Sequence, residues 1–536
     1  MALGQPGKEL PDMITIPPDS NSLQYESTVE KARVRLRERV LSAPNDVEAW
    51  FNLGILSRDA GDAEDAEGNF QNVLVLDPGR SDACVELGLL RRRREDLVGA
   101  VEWYEKALAL DPQSVSARFN LANCARDNED FDAAIANYSL VLRMEPDHHG
   151  AWINLGYAYH QQVRYAEAMQ CYQRALTLRP HVAGTYINIG NLLNAQNECE
   201  GAIAAYRVAI QLDPGSAEAH HSLGLALLAT GDFTRGWKEY EWRLQCQDTG
   251  GRIGVRKFSQ PLWRGEELRG KTLFVYAEQG LGDNIQFSRF LPQLRNRGGK
   301  VIFACYPNLM RLFARFTGVD MMVDLNTPER HPPFDTYTAL LSIPALLGIS
   351  ARDLSPLSGY LQADGERVSR WTWLRKEDRL SVGLVWASNT RNLHARLKSL
   401  TLQEIAPLLE LPDIDFYSLQ VESASRSETS PGLRTRIIAL GDEINTLEES
   451  AAIIQNFDLV LSVDTSIAHL AGAMGKPVWT LLPYAADWRW MQGRTDTPWY
   501  STMRLFRQQA LGRWDEPVLE ARDALRTLSA IRRKVV

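Results

Sequence analysis

The sequence predicts a helical solenoid followed by two α/β halves, each built on a parallel sheet. Three observations predict it. Prolines stand every 34 residues at positions 44, 78, 112, 146, 180 and 214. Twelve residues before five of them stands an alanine (Ala66, Ala100, Ala134, Ala168, Ala202), and eight before them an aromatic (Phe70, Tyr104, Tyr138, Tyr172, Tyr206). Beyond residue 258 the period stops, and short apolar runs alternate with helical patterns, as in β-α-β units.

Composition narrows the class. The 536 residues are 45% hydrophobic and 24% charged, ordinary for a globular chain of about three or four domains. A formal net charge of −8 gives no electrostatic footprint for nucleic acid or an anionic membrane, so neither is expected as a partner. Six cysteines lie far apart without a CxxC pair, as expected of buried thiols in a reducing compartment rather than of a disulfide or metal framework. Residues 1–22, rich in Pro, Ser, Asn and Asp, lack the apolar core of a signal peptide and are predicted disordered. With no run of about eighteen apolar residues anywhere, a cytoplasmic protein is expected.

Residues 23–246 read as the solenoid. Segments such as AWINLGYAYH open each unit with apolar residues at helical spacing, and DP or EP closes it, so each unit is two short helices. The fourth copy carries Trp152, Leu155, Gly156, Tyr159, Ala168, Tyr172 and Pro180, and the pattern resembles the tetratricopeptide repeat. Small alanines let neighbouring helices approach while aromatics and leucines fill the seam, so each copy buries its face only against the next. One position repeats as Asn52, Asn120, Asn154 and Asn188, with Glu86 and Ser222 in two copies. It is expected to face the solvent-filled groove, where a carboxamide both donates to and accepts from the backbone of an extended peptide. The alternative is that asparagine is only common at this place in the repeat. The resemblance to the asparagine-lined repeats of the O-linked N-acetylglucosamine transferases implies the binding role, with a protein acceptor in the groove.

Residues 247–257, rich in Gly and charge, read as a linker, 258–375 as a first Rossmann-like half and 376–536 as a second, with a C-terminal helix. TLFVY and KVIFACY give strands around a glycine loop in the first half. RLSVGLVWAS, DIDFYSLQ, DLVLSVDTS and KPVWTLLP give strands in the second. Ligands in such sheets bind beyond the carboxyl ends of the strands, and those ends carry EQGLGD, ASNTRN and DTS.

Gly280 and Gly282 remove side chains where a backbone approaches a ligand, and Asp283 follows, either as a functional carboxylate or as a helix cap. Arg391, Arg396 and Lys398 follow a strand, suited to neutralising a phosphate or simply forming a solvated basic loop. Asp464, Thr465 and Ser466 end a buried strand; they either cap the next helix or, with its free N–H groups, form an anion site, and His469 shares the helix face. The pair Asp413 and Asp415 precedes a strand and reads as a loop edge rather than a metal site.

EQGLGDNIQFSRFLPQL, GLVWASNTRN, SVDTSIAHLAGAMGKPVWTLLP and PYAADWRWMQGRTDTPWYSTMRLFRQ resemble the bacterial proteins that join tetratricopeptide repeats to a module related to the heptosyltransferases, glycosyltransferase family 9. The resemblance implies a GT-B fold of two Rossmann-like halves and transfer of a sugar, with inversion, from a nucleotide-activated donor, without metal or resident cofactor. It implies Asp283 as base, Gly280 and Gly282 shaping the acceptor loop, and Asp464, Thr465, Ser466 and His469 on the donor diphosphate and sugar. Ser466 departs from the family glycine, and Lys398 or Arg396 stands in for the family lysine. Some architectural relatives decorate flagellin. The competing expectations are a non-catalytic scaffold with a degenerate sugar-nucleotide fold, and a transferase acting on a saccharide or lipid-linked glycan.

Overall fold

The computed structural model describes residues 22–246, 256, 258–357, 359–388, 393–420, 431–440 and 444–535. The expected disordered start up to residue 21, most of the linker at 247–257, and Arg391 lie outside the described residues. Two compact units meet in the chain between Leu192 and Leu193.

In the first unit, after the helix Ser22–Ser42, helices come in pairs: Val47–Asp59 with Ala63–Leu76, Ser81–Arg93 with Leu97–Leu110, Val115–Asp127 with Phe131–Met144, and His149–Gln161 with Tyr165–Leu178. The period now has a packing reason. The repeated alanines Ala66, Ala100, Ala134 and Ala168 and the aromatics Phe70, Tyr104, Tyr138 and Tyr172 are fully buried. A Cβ at Gly54, Gly88 or Gly156 would come within 2.5–2.6 Å of the ring of Phe70, Tyr104 or Tyr172, so the glycine on the first helix of a pair is set by the aromatic on the second. The turn between the paired helices also recurs. One residue per copy there has positive φ, namely Gly61, Glu95, Glu129, Val163, Asn197 and Gly231. Only Val163 is β-branched, and at φ 65° its side chain crowds the backbone.

The asparagines are not all exposed to solvent as expected of them. Asn52 is exposed and Asn154 half-buried, but Asn120 and Asn188 are buried, at 1% and 8% exposure. Asn120 Nδ2 donates to the Ser116 carbonyl at 3.0 Å. Asn123, three residues on, accepts from Tyr138 Oη at 2.6 Å and from Asn154 Nδ2 at 3.0 Å. Carboxamides packed between helices must satisfy their hydrogen bonds locally, because nothing else there can pair with them.

The second unit opens with the last repeat helices, Cys199–Leu212, Ala217–Ala229 and Phe233–Tyr240, closed by a 3₁₀ turn Glu241–Gln245. Two sheets follow. The first contains β1 (Thr272–Tyr276), β2 (Lys300–Cys305), β3 (Met321–Asp324) and β4 (Thr336–Ala339) in the order β3-β2-β1-β4. The second contains β5 (Leu380–Val385), β6 (Ile414–Ser418), β7 (Ile437–Ala439), β8 (Leu459–Val463), β9 (Val478–Leu482) and β10 (Met503–Arg507) in the order β10-β9-β8-β5-β6-β7. Every pairing is parallel; Leu273 stands between Val301 and Thr336, and Leu384 between Ser418 and Leu461. β5 and β8 are buried along their whole length, as strands covered on both faces must be. Chain order reverses between β1 and β4 and between β5 and β8, which makes the carboxyl ends of those strands the places for a site. The helix Asp515–Val535 ends the described chain.

The unit boundary falls inside the repeats, not after residue 246, because the last repeat is built into the core of the sheets. Phe233, Trp237 and Tyr240 bury themselves with Phe287, Trp488 and Trp499; the Trp237 and Trp488 rings lie 5.5 Å apart at 90°. Arg243, fully buried, forks onto Glu278 just after β1, with Nη2 at 2.6 Å and Nε at 3.1 Å, and reaches Ser342 Oγ at 2.9 Å beyond β4.

Two stability measurements test these points. Val163→Gly relieves the strained turn and should raise the urea midpoint by an amount equivalent to roughly 1–2 kcal/mol. Arg243→Ala strands the buried Glu278 and should cost roughly 3–5 kcal/mol, while Arg243→Met with Glu278→Leu should recover much of that loss.

Candidate functional site

The loop after β1 is positioned by the repeat that packs on it. Tyr240 Oη and the Gln279 side-chain amide hydrogen-bond at 3.0–3.3 Å, with Gln279 at φ 59°. Asn284 Nδ2 donates to the carbonyls of Glu278 and Gly280 at 2.9 and 2.8 Å, closing the loop onto the short helix Leu281–Phe287. Gly280 is the cap residue of that helix, and Asp283, one turn in, accepts the Gly280 N–H at 2.9 Å. Its other oxygen pairs with Arg489 of the second half.

The Asp464–Ser466 step lies at the end of β8. Thr465 takes the cap position of the helix Ser466–Ala473, yet its side chain caps nothing; Oγ1 hydrogen-bonds instead with Ser462 Oγ at 3.0 Å. The Thr465 side chain is therefore not in the strand end as a helix cap, and the positive start of the helix lies beside two half-exposed hydroxyl residues. Lys398 Nζ lies 3.6 Å from the Asp464 carboxylate, bringing the end of β5's loop to the end of β8. Arg396 is exposed and pairs with none of these groups.

His469 is buried one turn further, with Nδ1 3.0 Å from Tyr500 Oη and Nε2 4.0 Å from Asp464 Oδ1. Trp490 stacks on its ring at 5.1 Å. A Cβ on Gly282 would lie 2.8 Å from His469 Cδ2, so this glycine lets the helices of the two halves meet. Burial, reinforced by Arg489 and only partly opposed by Asp464, pulls the imidazole from its ordinary 6.5 to about 4, and it is neutral at physiological pH.

Arg489 joins the halves. It donates to Asp487 at 2.8 Å, to Gln286 Oε1 at 2.7 Å and to Asp283. Burial alone would favour its neutral form; the Asp283 and Asp487 carboxylates overturn that and hold it charged. Asp413 and Asp415 sit at the opposite, amino edge of the second sheet, paired with Arg533 at 2.9 Å and Arg379 at 2.7 Å. Among the described residues no group of three His, Cys, Asp or Glu is placed to hold a metal.

The structure thus gathers Gly280, Gly282, Asp283, Lys398, Asp464, Thr465, Ser466 and His469 at facing sheet edges and leaves Arg396 outside. Sequence reasoning missed Arg489, Asp487, Tyr500 and Glu278. Trp488, Trp490 and Trp499 within a dozen residues were the signal that DWRW through PWY belonged to a core wall and not a surface loop.

Comparison with known proteins agrees with this layout. The chain matches tetratricopeptide repeat families at residues 51–115, 119–183 and 190–231, and glycosyltransferase family 9 (heptosyltransferase) at 418–504. The family 9 match includes Asp464 to Tyr500 but not Asp283 or Lys398. Protein FlbA of Caulobacter vibrioides is 27% identical over 330 residues, 57% of this chain and 54% of that protein, so the chain spans about half the length of this relative. Among solved structures, MamA is 27% identical over 30% of this chain and 93% of its own, with TM-score 0.28. YrrB, titled a TPR protein with an unusual peptide-binding site, is 18% identical over 35% of this chain and 96% of its own, with TM-score 0.31. The chain is a tetratricopeptide solenoid followed by a parallel-sheet α/β region with a family 9 segment, consistent with a GT-B-like module.

A pH titration checks the state of His469. Its folded value of about 4 lies below the ordinary 6.5, so its contribution is fully present above pH 6.5 and is lost as pH falls toward 4, where the unfolded chain holds a proton that the folded one refuses. The share is at most roughly 3 kcal/mol. His469→Gln should flatten the fall in melting temperature over that window; an unchanged slope contradicts a buried neutral imidazole.

Proposed function

We propose that this chain is a cytoplasmic glycosyltransferase that moves a sugar, with inversion and without a metal, from a nucleotide-activated donor to a protein acceptor presented by the repeats. The observation that carries the reading is an Asp283 loop on the first half, set with the start of the helix Ser466–Ala473, which lies in the family 9 match, and with Lys398 beside Asp464 on the second. Transfer forms a bond between the acceptor oxygen and the anomeric carbon and breaks the bond from that carbon to the donor phosphate. Asp283 takes the acceptor proton. The electron pair leaves on the phosphate, whose growing charge is met by the N–H groups at the start of Ser466–Ala473, the hydroxyls of Thr465 and Ser466, and the Lys398 ammonium. These groups supply in place the positive field that a metal provides in other transferases. Arg489 positions Asp283 and keeps the halves in register. Asn52, exposed, and Asn154, half-buried, are the asparagines left to meet an extended acceptor, for which flagellin is the first protein to try.

Thermal-shift screening with nucleoside mono- and diphosphate sugars tests the donor, since a ligand at about a hundred times its Kd stabilises the folded state by roughly 2.7 kcal/mol. With a donor in hand, Asp283→Asn should lower transfer by about 10²–10⁴-fold; it also removes one of the two carboxylates that hold buried Arg489 charged, so a lower melting temperature is expected with it, and Thr465→Ala and Lys398→Ala should weaken donor binding. Full turnover in Asp283→Asn removes that base; activity lost to a chelator and restored by manganese contradicts the metal-free reading.

A further inference from the structure

Five consecutive residues, Trp488 to Gln492, face the repeats and the site in turn. Trp488 packs edge to face on Trp237 of the last repeat, with ring centroids 5.5 Å apart. Arg489 then donates to Gln286 and Asp283, and Trp490 stacks on the His469 ring at 5.1 Å. Met491 and Gln492 return to the repeats. Gln492 Nε2 donates to the Asn197 carbonyl at 2.9 Å, to Asn197 Oδ1 at 2.8 Å and to Cys199 Sγ at 3.1 Å. Met491 Cε occupies the space that a side chain on Gly231 would need, since a Cβ there would lie 2.8 Å from it. Asn197 and Gly231 are the positive-φ residues that turn the fifth and sixth copies, and both belong to the second unit, so the segment rests on two successive turns of the repeats.

The backbone of the segment is held from both sides. Met491 has φ 53° and ψ −171°, a conformation that a side chain other than glycine keeps only where its surroundings over-determine it. On the site side, Trp499 Nε1 donates to the Arg489 carbonyl at 2.7 Å, and Arg507 donates to the carbonyls of Trp490 and, at 2.8 Å, Arg494. On the repeat side, the polar grip is that of Gln492 on Asn197. Asp283 is in turn oriented from two directions, by the Gly280 N–H of its own loop and by Arg489 of this segment.

We propose that Met491 and Gln492 are positioning residues that carry the placement of the fifth and sixth repeat turns to Arg489 and Trp490, and through them to Asp283 and His469. The repeats then set the orientation of the reacting carboxylate and do not only hold an acceptor. What Asp283 does chemically rests on the glycosyltransferase reading; the link from Asn197 to Asp283 does not.

Two variants of the full-length protein test it. Gln492→Met keeps the length of the side chain and removes its donor; Asn197→Gly keeps the positive φ and removes one of the two oxygen acceptors. In hydrogen exchange read by mass spectrometry without ligand, the helices Leu281–Phe287 and Ser466–Ala473 should exchange about tenfold faster in Gln492→Met and less so in Asn197→Gly, with Leu402–Leu409 at the wild-type rate. With an active donor, Gln492→Met should lower kcat by about ten- to a hundredfold, since displacement by about 1 Å costs that much, while the KM for acceptor changes little. That loss should vanish in an Asp283→Asn background, because residues that act through one group are not additive. Faster exchange confined to the contacts around Asn197 and Gln492 makes the grip a local one and overturns the proposal. A rise in acceptor KM with kcat intact, or a kcat loss that adds in full to that of Asp283→Asn, overturns it as well. If no nucleotide sugar is turned over, the transferase reading fails and the exchange result alone decides the link.

Discussion

A guanidinium with no access to water has to be paired, and Arg243 finds a local partner in Glu241, two residues back at 2.5 Å, and a second, fully buried one 35 residues along the chain, on the far side of the linker, in Glu278. Glu278 has no other counter-ion in that interior among the described residues, so a bidentate contact fixes the last repeat to the loop after β1, beside the Tyr240–Gln279 hydrogen bonds. Glu278 also accepts the Leu341 N–H at 3.1 Å, which adds the end of β4 to the same point. Gln279, Gly280 and Asp283 follow within one helical turn and inherit their places from it. A buried ion pair of this sort adds little net stability over a well-packed apolar pair, but it specifies one register, and register is what a site between two sheets needs.

Around that contact the interior is aromatic. Trp237 from the repeats, Phe287 from the first half, and Trp488 and Trp499 from the second meet at centroid distances of 5.5–6.4 Å, edge to face except for the tilted pair Phe287 and Trp499. Such rings bring a large apolar area for few rotatable bonds and tolerate little sliding. The repeats of the second unit are thus walls of the site region, not an appended recruitment arm, and a change in helix Phe233–Tyr240 is felt at Gln279 through Tyr240.

Charge in the site is divided by position. Arg489, hydrogen-bonded to two carboxylates, stays charged in spite of complete burial; His469, whose Nε2 lies 4.0 Å from the Asp464 carboxylate, is neutral. The difference follows from pairing: desolvation disfavours both cations, and only Arg489 has hydrogen-bonded counter-ions enough to offset it. Asp283 is correspondingly bound to Arg489 and to the Gly280 N–H, so its carboxylate is oriented before any substrate arrives.

The 34-residue period was legible in the chain because each repeat packs only on its neighbours, and the same alanine, glycine and aromatic must recur to fill the same seam. Six strands were legible for the opposite reason: parallel strands buried on both faces read as uninterrupted apolar runs. β3, β4, β7 and β10 were not marked out, being short or, like Met503–Arg507, carrying arginines, of which Arg507 donates to the Arg494 carbonyl outside the strand. Site residues at strand ends could be located because the sheet grammar says where they stand, but not what they touch. That Asn120 is buried while Asn52 is exposed depends on helix neighbours, as does the pairing of Asp283 with a residue 206 positions away. Local periodicity determined which elements form and which loops face a ligand; the partners of Asp283, His469 and Arg243 were decided only when distant segments packed, because hydrogen bonds and desolvation depend on distances that no spacing along the chain encodes.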